Sequence, residues 1–116
     1  MGQTQLRSIV GEPLSGVAFI QDYVELHFDG QILRAFTKPT IMTRGQRYCF
    51  PEQGSRDAFC QLIGIMVKEV LVEESLEIRV GFVDGAVVSI PLDIGSRDGP
   101  EAAHYVPGLD LPIEVW

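Results

Sequence analysis

The chain has 116 residues, with 9 basic against 16 acidic side chains for a net charge of −7, and a pI near 4.6. That length holds one domain with one core and leaves no room for separate catalytic and substrate domains. The negative charge repels phosphate backbones and argues against nucleic-acid binding, while a basic protein partner stays open.

Residues 1–8 show no basic stretch followed by an apolar run, which a secretory signal requires. Leu6 stands where a myristoylation motif at Gly2 needs Ser or Thr. Apolar stretches such as residues 62–67 fall far below the roughly 20 residues that span a bilayer. The expectation is a soluble, cytoplasmic protein without a membrane partner. Cys49 and Cys60 fit free thiols in a reducing compartment.

The first strong pattern is Val24-Glu25-Leu26-His27-Phe28, then Asp29-Gly30, then Gln31-Ile32-Leu33-Arg34-Ala35-Phe36. An Asp-Gly pair tolerates positive φ and predicts a two-residue hairpin loop. With that loop Leu26 faces Leu33, Val24 faces Ala35 and Glu25 faces Arg34, so apolar and opposite-charge pairs fit one register. Residues 43–47 and 51–54 read as loops around a short extended Tyr48-Cys49-Phe50. Residues 55–63 carry the helix signal, with Ser55 or Asp57 as N-cap and Gly64 as the stop. Phe59, Leu62, Ile63 and Met66 are spaced for one apolar face packed on a sheet.

The hairpin grammar returns in Leu76-Glu77-Ile78-Arg79-Val80, through Asp84-Gly85, to Ala86-Val87-Val88-Ser89-Ile90. Ile9-Val10-Gly11 parallels Leu62-Ile63-Gly64, Val17 parallels Val70 and Phe19 parallels Val72, all 53 positions apart. The offset is 52 at Glu25 and Glu77, and 55 at the two Asp-Gly pairs. The expected fold is mainly β (α+β), one domain over residues 1–116. Two antiparallel β-meanders, pseudo-repeats at about 9–36 and 62–90, carry one short helix packed on the sheet. Internal duplication accounts for the correspondence, and the alternation common to any two meanders is the competing account.

After Leu92, residues 95–100 have turn chemistry and Pro100-Glu101-Ala102-Ala103-His104 predicts one helical turn. Residues 111–116 alternate as an edge strand does, with Pro112 keeping them from a sheet centre and Trp116 capping the core.

Catalytic groups are sparse. The two histidines and two cysteines lack the close pairs of a zinc site, so no metal or other cofactor is expected. Cys60 in the first helical turns could act as a nucleophile with His104 as base, but a small thiol beside Phe59 is more often core. Residues 11–16 have the glycine spacing of a phosphate loop, yet Val17-Ala18 follow where Lys and Ser or Thr are needed. Glu73-Glu74 reads as a solvated turn.

Gly99-Pro100-Glu101-Ala102-Ala103, followed by Val115-Trp116, resembles a set of small uncharacterised bacterial β-rich proteins, some of them regarded as immunity proteins of toxin systems. The resemblance covers about a third of the chain, from the second Asp-Gly hairpin onward, and carries no catalytic residues with it. Two functional readings follow. The favoured one is a non-catalytic interaction module, an acidic immunity-like protein binding a basic protein partner through Glu25 and Glu77 on the outer strand faces. The other is a small-ligand binder or minor enzyme with a pocket between the two repeats, lined by Cys60, His104 and Tyr105. The apolar composition and the open strand edges of a small β-protein further predict a homodimer.

Overall fold

Period-two alternation in the two meanders becomes strands β1 (Gly16–Ile20), β2 (Tyr23–Phe28) and β3 (Gln31–Ala35), and later β6 (Val67–Glu73), β7 (Glu77–Phe82) and β8 (Val87–Pro91) in the computed structural model. Residues 4–108 and 110–116 are described, so the reading at Gly2 lies outside them. Between the meanders lie β4 (Thr40–Thr43), β5 (Gln46–Cys49) and helix α1 (Ser55–Cys60); β9 (Ala103–Val106) and β10 (Glu114–Val115) follow the second. A 3₁₀ turn, Gln5–Ile9, precedes β1. No described helix is long and apolar enough to cross a membrane.

The strands form two antiparallel sheets, ordered β1-β2-β3-β9-β10 and β5-β4-β8-β7-β6. Each meander is thus extended by the hairpin that follows the other meander, and the chain changes sheet twice. The hairpin registers match the turn chemistry: Val24 pairs with Ala35, Glu25 with Arg34 and Leu26 with Leu33. The inner faces of both sheets feed one buried cluster, to which Phe28, Leu33 and Tyr105 contribute from one side and Ile41, Phe82 and Val88 from the other. Burying each such side chain is worth about 1.5–3 kcal/mol.

Several backbone bonds and strand pairings recur between the two halves. The Gly11 N–H donates to the Val67 carbonyl and the Gly64 N–H to the Leu14 carbonyl; the Val67 N–H donates to the Glu12 carbonyl and the Leu14 N–H to the Ile65 carbonyl. Shifting either bond of each pair by 53 positions gives the other. Pro13 faces Met66 at the centre of this ladder. Leu6 and Ile9 are buried as Phe59 and Leu62 are, while Val10 (44% exposed) and Ile63 (46%) both face outward. The pairing of Val17 with Leu26 recurs as Val70 with Val80, and that of Leu33 with Tyr105 as Val88 with Ile41. Corresponding residues are therefore 53 apart in β1 and β6, 54 in β2 and β7, and 55 in β3 and β8.

Four local expectations are corrected. The helix ends at Cys60, short of residue 63, and continues as turns to Gly64. Its N-cap is Gly54, and Ser55 instead donates its hydroxyl to the Glu52 carbonyl at 2.6 Å. Ile63 and Met66 are exposed, because the chain leaves the helix before their spacing can bring them onto its buried face. Residues 100–104 do not form a helical turn: the Ala102 and Ala103 N–H groups both donate to the Trp116 carbonyl, which commits this backbone to sheet pairing.

Candidate functional site: the outer face of the first sheet

In β2, β3 and β9, alternate residues turn toward the core, which leaves Tyr23, Glu25, His27, Ile32, Arg34, His104 and Val106 on the opposite face. Across the strands, register sets Ala18, Glu25, Arg34, His104 and Val115 in a single row. Glu25 is the hub. Its Oε2 accepts from Arg34 Nε at 2.6 Å and its Oε1 lies 3.0 Å from His27 Nε2, with the side chain only 13% exposed. Burial alone would raise the Glu25 pKa. Hydrogen bonds from Arg34 and His27, with the attraction of both charges, outweigh burial and hold the carboxyl below its ordinary value.

His104 Nε2 lies 2.8 Å from Glu101 Oε1, and the ring meets Phe36 edge-on with centroids 4.7 Å apart. Tyr23 leans on the far side of this group, 5.1 Å from Phe36. His104 Nδ1 is buried without a partner. At the end of the face, Asp22, Asp98 and Glu101 surround a concavity of about 340 Å³ with Phe36, Gly99 and Pro100. Arg97, next in the chain, directs its guanidinium at the Leu92 and Pro100 carbonyls.

The corresponding row on the other sheet is Leu71, Arg79, Ser89, Thr40 and Cys49. Core positions stay apolar in both halves, whereas the Glu25–Arg34 pair and the histidine are found on one face alone. Both histidines of the chain lie there.

The residues singled out from sequence are dispersed. Cys60 is exposed on α1, whose neighbours are β1, β4 and β5. His104 and Tyr105 are adjacent on β9 and point to opposite faces; the buried Tyr105 hydroxyl lies 2.6 Å from both Ser8 Oγ and Gln31 Oε1. Burial raises the Tyr105 pKa, the Ser8 hydrogen bond opposes this and the Glu114 charge adds to it. Glu77 is on the second sheet, 3.7 Å from Arg79, so it shares no surface with Glu25. Register also makes Arg79, not Glu77, the counterpart of Glu25. Tyr23 and Phe36 join the face without having been singled out. Their signal was the alternation itself, which puts Tyr23, Glu25 and His27 on one side. Among the described residues, no group of three or more His, Cys, Asp or Glu could hold a metal ion.

Compared with protein-family models, curated proteins and solved structures, the chain finds no match in any of the three.

Proposed function

We propose that this protein is a non-catalytic interaction module that binds a basic protein partner on the outer face of the first sheet, in the manner of an immunity protein. One observation carries the reading: an uncovered face that combines Tyr23, Phe36, Arg34 and two histidines with an acidic rim of Asp22, Asp98 and Glu101. Aromatic and arginine side chains are the residues that dominate interface energies, and rim carboxylates steer a cationic partner and set register. The ion pairs already satisfied within the face hold its side chains in place before contact, which lowers the ordering cost of binding. The matching hydrogen bonds of the two halves support an internal duplication, after which one sheet face specialised.

The test is capture from the native host with the wild-type chain and with Glu101→Lys/Asp22→Lys. The reading requires one identified basic protein, lost progressively as salt rises and released by the double variant while the fold is retained. Capture that is indifferent to both salt and variant would dismiss it. Self-association through free strand edges is the competing outcome, read by light scattering as a mass of twice 12.8 kDa.

A further inference from the structure

A second, larger concavity lies elsewhere, between α1 and the β4–β5 hairpin. It has a volume of about 470 Å³ and is lined by Thr43, Arg44, Gln46 and Tyr48 from the hairpin and by Gly54, Asp57, Ala58 and Gln61 from the helix segment. That volume lies within the range of small-molecule sites. The other half has a counterpart between the 3₁₀ turn and the β9–β10 hairpin, lined by Gln5, Pro107, Leu111, Pro112, Ile113 and Glu114. Register makes Glu114 the equivalent of Tyr48, since one faces Tyr105 and the other faces Ile41. By the 53-residue offset, Thr4 and Gln5 correspond to Asp57 and Ala58.

The two clefts differ in how they are closed. In the second, Glu114 Oε1 accepts from Thr4 Oγ1 at 2.8 Å and from the Gln5 N–H at 2.7 Å, tying hairpin to turn across an apolar lining. In the first, Tyr48 occupies the Glu114 position and donates its hydroxyl along its own strand to Gln46 Oε1. Nothing in the hydrogen-bond pattern bridges Tyr48 to Asp57. Arg44 and Asp57 carry opposite charges on opposing walls, and among the described residues they form no ion pair within 4.0 Å. Arg44 takes φ 53° as the first residue of the two-residue Arg44-Gly45 loop that joins β4 to β5, which fixes where its side chain leaves the hairpin. Gly54, at φ 86°, lies beside the Tyr48 ring, where an added Cβ would make an ordinary contact at 3.4 Å.

We infer that this cleft binds a small zwitterion of the amino-acid or dipeptide class. Its carboxylate pairs with Arg44, its ammonium pairs with Asp57, and its carbon skeleton rests against Tyr48 and Ala58. A simple anion meets Asp57 and the overall negative charge, a simple cation meets Arg44, and only a ligand with both charges satisfies both walls. The amides of Gln46 and Gln61 and the Thr43 hydroxyl supply further donors and acceptors. The inference does not rest on the protein-docking reading, which concerns another face.

The test uses the full chain, ¹⁵N-labelled, titrated with alanylalanine, with its N-acetylated and C-amidated forms, and with the free amino acids. Expected are backbone shifts at Arg44, Gly54, Asp57 and Gln61, weakened about tenfold when either terminus of the dipeptide is blocked. Arg44→Gln should no longer distinguish free from amidated carboxyl, and Asp57→Asn should no longer distinguish free from acetylated amine. Exposed polar replacements at these two positions leave the core untouched. The proposal is overturned if no free zwitterion shifts these residues, if blocked and free forms bind alike, or if each variant keeps the discrimination it should lose.

Discussion

Pro13 and Met66 oppose each other across an isolated antiparallel bridge, and each holds in its own half the place the other holds in the second. The four backbone bonds around them exchange in pairs under the same 53-residue shift. Gly11 and Gly64 take matching left-handed conformations at the ends of this ladder, with φ of 88° and 92°.

Gly11→Ala and Gly64→Ala should therefore destabilise by nearly equal amounts, about 1–2 kcal/mol each. An added Cβ meets no atom within 4 Å at either position, so backbone conformation alone sets the cost. Urea unfolding of the two variants checks this. A clearly unequal pair would mean that the ladder is not energetically symmetric.

Glu25 gives a directional pH test. Its folded pKa is lowered, so its contribution is present above the unfolded carboxylate value and is lost as pH falls through the lowered folded value. Glu25→Gln should cost about 1–2 kcal/mol near neutrality and flatten that part of the acid decline. Melting temperature against pH, wild type beside variant, reads both effects. A variant whose acid limb parallels the wild type would contradict the assignment.

Tyr105 gives the opposite limb. Its folded pKa is raised, so its contribution is complete below the unfolded phenol value of about 10 and is lost as pH rises through the raised folded value. Tyr105→Phe should lose about 1 kcal/mol at neutral pH, because Ser8 and Gln31 remain bonded to each other at 3.0 Å. It should also lessen alkaline destabilisation. Equilibrium unfolding at neutral and alkaline pH measures this.

The neighbours Phe59 and Cys60 should behave very differently. Phe59 is fully buried and Cys60 is exposed, so Phe59→Ala should cost about 3–5 kcal/mol and Cys60→Ser less than about 0.5 kcal/mol. Denaturant midpoints decide it, and a large cost at Cys60 would point to a packing role the exposed thiol does not suggest.

The features legible in sequence were those encoded locally. Asp29-Gly30 and the alternation around it determine a register that the strands adopt residue for residue, and the spacing of Ile9 and Leu62 marks positions that are both buried. Sheet membership was not legible, because β4 and β9 choose partners 40 or more residues away, and four-residue strands carry little periodic signal. Thr40–Thr43 gave no strand signal for the same reason. Grouping His104 with Tyr105 overlooked the rule that adjacent strand residues point apart. The outer face needed only that rule, applied to Tyr23, Glu25 and His27, plus the non-local pairing that brings in His104.

The exchange of hairpins between sheets governs the order in which the chain can finish folding. The first meander can form on its own turns, but the open edge of β3 is filled by β9, which pairs Ala35 with Ala103. During synthesis that edge waits, unpaired, until nearly the whole second half has emerged from the ribosome. Such long-range closure is slow and leaves an edge exposed to other chains meanwhile. The β4–β5 hairpin waits likewise for β8. The nascent chain is thus most vulnerable to sticking before its last strands are translated, and conditions that slow translation of the second half should lengthen that exposure.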